Sequence, residues 1–197
     1  GQSSCTDASA GNYVGSTGQS AQTVCAVGTY QSATGQSSCT VASAGYYVAL
    51  TGQTTQTECA AGTYQASTGQ SSCDDASAGY YVALTGQTTQ TECAAGTYQA
   101  STGQSSCDDA SAGYYVALTG QTTQTECAAG TYQSATGQTS CDVADAGYYI
   151  DTNASANQIP CALGTYQPDT GQSSCDDADA GYYVDTNAST TQTECAL

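Results

Sequence analysis

The sequence predicts a small disulfide-rich all-β protein, an elongated rod of tandem 17-residue β-hairpin repeats that pair into 34-residue double repeats. Three observations predict it: the twelve cysteines are separated by alternating long and short gaps, a tyrosine recurs every 17 residues, and helical periodicity is absent. Each segment has too little apolar surface to bury alone, so it must stack on its neighbours. The alternative is a β-solenoid, which requires continuous parallel ladders in place of local hairpins.

The cysteine gaps set the boundaries of the double repeats. A long gap, such as Cys5 to Cys25, is followed by a short gap, such as Cys25 to Cys39, and the two together make one double repeat. Two double repeats are identical in sequence, which indicates duplication, and the chain begins and ends within a repeat, so we expect it to continue in both directions. The predicted division is a partial repeat at 1–24, repeats at 25–58, 59–92, 93–126, 127–160 and 161–194, and the start of a further repeat at 195–197.

Each 17-residue segment reads as a short strand, a turn and a second short strand. The runs GTYQ and GYYV combine tyrosine with β-branched residues and are bounded by glycine, as short strands are. A Thr-Gly turn such as Thr68-Gly69 follows each run. Near the end of the chain we expect Asn153 and Asn187 to replace the turn glycine, because asparagine tolerates a positive φ.

The tyrosines fall into two series. We expect the regular series, which has a spacing of 17 residues and runs from Tyr13 to Tyr183, to form the packing spine of the stack. A second series occurs once per double repeat, and we expect its members to lie on the surface. They are Tyr46, Tyr80, Tyr114, Tyr148 and Tyr182.

Cysteine pairing follows from comparing the two halves of a double repeat. In the gapless alignment Cys59 matches Ala76 and Cys73 matches Gln90, so both cysteines are present in one half and both are absent from the other. Residues gained or lost together are most simply bonded partners, and each bond would close a loop worth about 3 kcal/mol. The predicted disulfides are Cys25–Cys39, Cys59–Cys73, Cys93–Cys107, Cys127–Cys141 and Cys161–Cys175.

A rival pairing remains open. Bonds across the long gaps, beginning with Cys5–Cys25, would use all twelve cysteines within the chain. The preferred pairing instead leaves Cys5 and Cys195 for an inter-repeat or intermolecular disulfide, including a head-to-tail bond between neighbouring chains.

Composition limits where the chain works and what it binds. The net charge is −17, with no Lys, Arg or His, so the chain has no surface for nucleic acid or an anionic bilayer. No apolar run approaches the ~18 residues needed for membrane insertion. An even number of cysteines in so polar a chain predicts an oxidising compartment, so we expect an extracellular or cell-surface location.

The same composition argues against catalysis and cofactors. Without His, Lys or Arg the chain has no ordinary general base near neutrality and no phosphate clamp, so we expect no enzymatic activity. The cysteine spacings lack the close pairs of zinc sites. Acidic clusters such as Asp74-Asp75 and Asp108-Asp109 recur and would permit weak Ca²⁺ binding, but solvated surface charge is the favoured interpretation.

Covalent glycans are the one modification that the sequence indicates. Two sequons, Asn153-Ala154-Ser155 and Asn187-Ala188-Ser189, lie at predicted turn tips, where a glycan would not disturb packing. A plain turn asparagine is the competing interpretation. Dense Ser and Thr also offer sites for O-glycans.

The phrase C-x-x-G-T-Y-x-x-x-T-G-x-x-x-C followed by A-G-Y-Y resembles the cysteine-rich repeats named after ephrin-type receptors, which are similar to modules of the tumour necrosis factor receptor ectodomain. The resemblance covers the whole chain. It departs from the family's C-x-x-C-P-A-G-Y-Y pattern, because Asp74-Asp75-Ala76 follow Cys73, and half of the usual disulfides are therefore missing. The family implies an elongated extracellular stalk of small hairpins and a bond between the cysteines that flank G-x-Y.

Two functions fit these features. The first is a structural component of an extracellular, glycosylated filament or fibril formed by self-association. The second is the stalk of a cell-surface receptor or adhesin whose binding head lies outside this segment.

Overall fold

The computed structural model describes residues 6–196, and in this part of the chain all regular structure is β. Eleven two-stranded antiparallel sheets follow one another, and each is a hairpin made from consecutive strands. The predicted all-β array of tandem hairpins is thereby confirmed. The strand pairs are local and antiparallel, so the continuous parallel ladders of a β-solenoid are not what these residues form.

The hairpins fall into two compact units. The first contains the described residues up to Glu92 together with Ser101–Ser106, and the second contains Cys93–Ala100 and the described residues from Cys107 onward. Strands that begin in the first unit are β1 (Asn12–Tyr13), β2 (Thr23–Val24), β3 (Thr29–Tyr30), β4 (Thr40–Val41), β5 (Tyr46–Tyr47), β6 (Thr57–Glu58), β7 (Thr63–Tyr64), β8 (Asp74–Asp75), β9 (Tyr80–Tyr81) and β10 (Thr91–Glu92). Those of the second are β11 (Thr97–Tyr98), β12 (Asp108–Asp109), β13 (Tyr114–Tyr115), β14 (Thr125–Glu126), β15 (Thr131–Tyr132), β16 (Asp142–Val143), β17 (Tyr148–Tyr149), β18 (Ile159–Pro160), β19 (Thr165–Tyr166), β20 (Asp176–Asp177), β21 (Tyr182–Tyr183) and β22 (Thr193–Glu194).

The hairpin of β5 and β6 shows the common plan. Tyr46 pairs with Glu58 and Tyr47 pairs with Thr57. A tight turn precedes the first strand, because Gly45 has a φ of +81° and the amide of Tyr46 donates to the carbonyl of Ser43 (3.0 Å). Glycine recurs at this position because a positive φ costs other residues about 1–2 kcal/mol.

Within each unit, direct backbone hydrogen bonds join consecutive hairpins. Within both units the same three bonds recur at every step. Between the hairpins of β3–β4 and β5–β6 they run from the amide of Gly28 to the carbonyl of Val48 (2.8 Å), from Gln31 to Gln53 (3.0 Å) and from Gly52 to Cys25 (2.8 Å). Since each contact repeats, each unit is a quasi-one-dimensional stack.

Buried side chains occupy two positions in the hairpins between the first and the last, and neither position holds a tyrosine. One precedes the first strand, where Cys25 and Ala42 are fully buried, and the other follows it, where Val48 is 2% exposed. The tyrosines of the regular series are half-buried from Tyr13 onward, and Tyr183 is exposed. The buried positions are therefore held by residues other than the regular tyrosines, so the predicted tyrosine spine is not the core of the stack.

A glutamine occupies the second buried position in alternate hairpins, and its amide is fully used. The Nε2 of Gln31 donates to the carbonyl of Ser38 (2.9 Å), and its Oε1 accepts from the amide of Ala33 (3.0 Å). Because both ends of the side chain have partners, this polar group can be buried without a large cost.

The turn at the tip of the loop shows that one prediction from the sequence, the place of the two asparagines, is wrong. Asn153 and Asn187 do not take the left-handed position of the turn glycine. The following residues do, with a φ of 58° at Ala154 and 57° at Ala188. In the gapless alignment Ala154 matches Gly52 and Asn153 matches Thr51, so the backbone keeps its conformation and alanine bears the strain.

We expect Ala154→Gly to raise the free energy of unfolding by about 1 kcal/mol, because alanine in the left-handed region costs ~1–2 kcal/mol and glycine's greater unfolded-state freedom offsets part of this gain. Urea unfolding measures the change. Ala156→Gly is the matched control, since Ala156 is not at a positive φ. It should lower stability instead, by about 0.5–1 kcal/mol.

Candidate functional site

Five disulfides close alternate hairpins. Their Cα atoms lie 5.8 or 5.9 Å apart, within the range that unstrained disulfides adopt. All five cross the short gaps, and the rival pairs across the long gaps do not form among the described residues. The bonds join Cys25 to Cys39, Cys59 to Cys73, Cys93 to Cys107, Cys127 to Cys141 and Cys161 to Cys175.

Each disulfide fixes the loop of its own hairpin. Cys25 is fully buried ahead of β3, and Cys39 lies directly before β4. The bond therefore ties the entry of the first strand to the entry of the second, across the loop from Gln31 to Cys39. Strands of only two residues cannot hold such a loop by their own hydrogen bonds.

In the hairpins without cysteine, a glutamine holds the corresponding loop in place. In the hairpin of β5 and β6, the Oε1 of Gln56 accepts a hydrogen bond from the amide of Ser43 (2.8 Å). Gln56 occupies the position of the second cysteine, and Ser43 follows the position of the first. The same bond recurs at Gln22 (2.8 Å), Gln90 (2.6 Å), Gln124 (2.7 Å), Gln158 (2.8 Å) and Gln192 (2.7 Å).

We name this contact the glutamine clamp: the amide that follows the first cysteine position donates a hydrogen bond to the Oε1 of the glutamine at the second cysteine position. Sequence comparison alone missed this contact, because Gln90 in place of Cys73 was interpreted only as the absence of a cysteine. The signal for the clamp was present, because every hairpin without cysteine has glutamine there. The array thus alternates a covalent closure with a hydrogen-bonded one.

We expect Gln56→Ala to lower the free energy of unfolding by about 1 kcal/mol, since it removes one hydrogen bond to a backbone amide. Gln56→Glu retains an oxygen acceptor at the same place and should retain most of the stability. Urea unfolding of the two variants beside the parent chain checks both values. Equal losses would show that the clamp contributes nothing specific.

The remaining cysteines stand apart from these closures. Cys195 is exposed and carries a free thiol. Cys5 lies outside the described residues. The expected inter-repeat or intermolecular disulfide of Cys5 and Cys195 therefore stays a prediction.

Both sequon asparagines lie on exposed loop tips. Asn153 and Asn187 are exposed, as the sequence analysis expected. The Oδ1 of Asn153 accepts a hydrogen bond from the amide of Ala129 (3.1 Å) in the preceding hairpin. Its Nδ2, the atom to which an N-glycan is attached, makes no hydrogen bond among the described residues.

The acidic residues do not converge. Among residues 6–196 no three Asp, Glu or Cys side chains lie close enough to hold a metal ion together. Asp74 and Asp75 are neighbours on the exposed strand β8, whose side chains alternate between faces. In the same part of the chain no helix is long and apolar enough to cross a bilayer.

Stacked small hairpins, each closed by a disulfide or a glutamine clamp around a minimal core, define a cysteine-rich tandem-repeat module. Residues 147–195 match a family model described as tyrosine-protein kinase ephrin type A/B receptor-like. The match over this part of the chain and the regular series of disulfides support an ephrin receptor-like cysteine-rich repeat array. A comparison with curated proteins finds no match. These properties indicate an extracellular, non-catalytic structural or receptor-stalk role.

Proposed function

We propose that this chain is a structural component of an extracellular, glycosylated filament or fibril. The observation that carries the proposal is the identical set of three backbone hydrogen bonds at every step within each unit. A contact in which one surface of a hairpin binds a different surface of the next is heterologous, and such contacts generate an open filament where the rotation does not close a ring. Such an array gains length with each added repeat.

The charge distribution supports the same role. The chain carries 17 carboxylates and no cation, so every segment repels other segments of like charge. Repulsion of this kind favours an extended, solvated surface. Disulfides supply about 3 kcal/mol per closed loop where a large core is missing, which suits material that is exposed outside the cell.

N-glycans at Asn153 and Asn187 form part of the proposal. Both side chains are exposed on loop tips, so a glycan there would meet no packed neighbour. We expect native protein treated with an N-glycanase to lose mass and to carry Asp in place of Asn at both positions. Unchanged mass in native material would remove the N-glycan from the proposal and leave the structural role in place.

Self-association is tested by electron microscopy of the native secreted material with antibodies raised against the repeat. We expect labelled filaments of uniform width, with gold particles distributed along their length. The same preparation after mild reduction tests Cys5 and Cys195, because a head-to-tail disulfide predicts shorter filaments.

The stalk of a cell-surface receptor or adhesin is the second candidate, and the receptor-like description of the matching family favours it. The microscopy separates the two candidates. Labelled isolated stalks that end in globular heads would support the second candidate and contradict the filament.

A further inference from the structure

Two equivalent surface grooves, one in each compact unit, have the same construction. Each lies between the tyrosine at the end of a first strand and the disulfide of the following hairpin. The groove in the first unit has a volume of about 400 Å³ and is lined by Tyr13, Thr23, Thr29, Ser38 and Cys39. The groove in the second unit has a volume of about 310 Å³ and is lined by Tyr149, Pro160, Thr165, Ser174 and Cys175.

The two grooves occupy one position of the repeat. Tyr13 and Tyr149 are separated by a whole number of double repeats. Because equivalent residues form a groove in both units, the groove is a property of the double repeat. The repeat places the same residue types around Tyr47 and Tyr115, namely a threonine, a serine and a disulfide of the next hairpin.

The walls combine an aromatic ring with hydroxyl groups. Tyr13 and Tyr149 are half-buried, so part of each ring is open to solvent. The Oγ1 of Thr29 donates to the carbonyl of Ala26 (2.7 Å), which orients its lone pairs as acceptors, and Ser38 is exposed. Apolar ring surface beside a few polar groups is the composition of a small-molecule site, and it complements a sugar ring.

An exposed leucine follows the tyrosine three residues later in the loop of the hairpin. Tyr115 and Leu118 line a groove of about 200 Å³ in the loop of one hairpin, and Leu118 is 68% exposed. Leu50 and Leu84, at the same position of the repeat, are 66% and 68% exposed. An exposed leucine therefore recurs at one position of the double repeat, three residues after a tyrosine of the regular series.

Charge restricts the ligand to one class. The lining residues of both tyrosine–disulfide grooves are uncharged, whereas the whole chain carries −17 with no cation. An anionic polymer would be repelled by this field. A site that repeats with a fixed period suits a polymer that also repeats, because linked sites raise the overall affinity.

We propose that the tyrosine–disulfide grooves bind an uncharged polysaccharide, with one saccharide-binding site in each double repeat. The tyrosine ring provides the platform, and the threonine and serine hydroxyls hydrogen-bond the sugar. Each site alone is weak, and the array binds through several at once. The proposal goes beyond the structural role and does not depend on filament formation.

Affinity electrophoresis tests it with the full chain, whose negative charge drives migration in a native gel. We expect hydroxyethyl cellulose, a neutral probe, to retard the chain and alginate, an anionic probe, to leave its mobility unchanged. Replacing Tyr47, Tyr115 and Tyr149 together with serine should raise the apparent dissociation constant at least tenfold.

The matched control replaces Tyr46, Tyr114 and Tyr148 with serine. These residues precede the groove tyrosines in the same strands, so their side chains lie on the opposite face of each hairpin. We expect this variant to bind like the parent. Replacing the groove tyrosines with phenylalanine retains the rings and should change binding no more than about twofold, provided the ring is the platform.

Three results would overturn the proposal. The first is that the parent chain migrates equally with and without hydroxyethyl cellulose. The second is that the two serine variants lose binding equally. The third is that the phenylalanine variant loses as much binding as the groove serine variant. Circular dichroism and a count of free thiols establish that each variant retains its fold. This test of polysaccharide binding does not depend on whether the chain forms filaments.

Discussion

Replacing Gly45 with alanine should lower the free energy of unfolding by about 3 kcal/mol. Two causes add. Gly45 has a φ of +81°, which costs an alanine ~1–2 kcal/mol. A Cβ at this position would also overlap the carbonyl oxygen of Gly86, in the turn two hairpins further along. That atom belongs to the backbone and cannot move aside, so overpacking adds ~1–3 kcal/mol.

Gly18→Ala is the matched control, because it separates the two causes. Gly18 has a φ of +79°, close to that of Gly45, but nothing lies within 4 Å of the position of its Cβ. We expect this variant to lose only the ~1–2 kcal/mol of backbone strain. Urea unfolding followed by circular dichroism compares the two. Equal losses would contradict the close contact between next-but-one hairpins.

The double variant Cys59→Ala/Cys73→Ala should lower the free energy of unfolding by about 3 kcal/mol, because it opens a loop of about 15 residues. The companion variant Cys59→Ala/Cys73→Gln should recover about 1 kcal/mol of this loss. It copies the residues of the neighbouring hairpin, where Gln90 accepts from the amide of Ser77 (2.6 Å). In the variant the amide of Ala60 is the corresponding donor.

Urea unfolding under non-reducing conditions measures both variants against the parent chain. A glutamine variant no more stable than the alanine variant would show that the clamp needs other features of its own hairpin. An alanine variant as stable as the parent would contradict the structural role of the disulfide.

Contacts within each unit also join next-but-one hairpins. The Cγ1 of Val41 lies 3.1 Å from the position of a Cβ on Gly69, and Val24 lies 3.3 Å from that of Gly52. In each case the last residue of one hairpin packs over the turn of the hairpin two further on. Both members of such a pair are of one type, either with or without cysteine. Each of these contacts therefore joins two hairpins of the same type.

The hairpin array was predictable from the sequence because its causes are local and periodic. Glycine before each tyrosine marks a positive φ, and the joint loss of Cys59 and Cys73 in the sister half marks a bonded pair. The structure places these features as expected. These predictions depend on comparing one copy of the repeat with another, which a sequence with a single copy would not allow.

The packing was less predictable, because it depends on distances between hairpins. Tyr47 is half-buried, whereas Val48 directly after it is 2% exposed, and the amide of Val48 donates to the carbonyl of Gln70 in the next hairpin (2.9 Å). The left-handed residue was also misplaced, because Asn153 has a high preference for that conformation whereas the strand register assigns it to Ala154. In both cases the position in the stack outweighs the preference of the residue.

Cleavage of the native chain by a glutamate-specific protease, without reduction, tests the central claim that each disulfide lies within one hairpin. Glu58, Glu92, Glu126 and Glu194 are exposed and no disulfide spans any of them, so the fragments should separate at once. Fragments 59–92 and 93–126 should each contain one intact disulfide, and fragment 127–194 should contain two. Fragments 59–92 and 93–126 should have one and the same mass, since their sequences are identical. Fragments that stay joined until a reductant is added would demonstrate bonds across the long gaps and contradict the account.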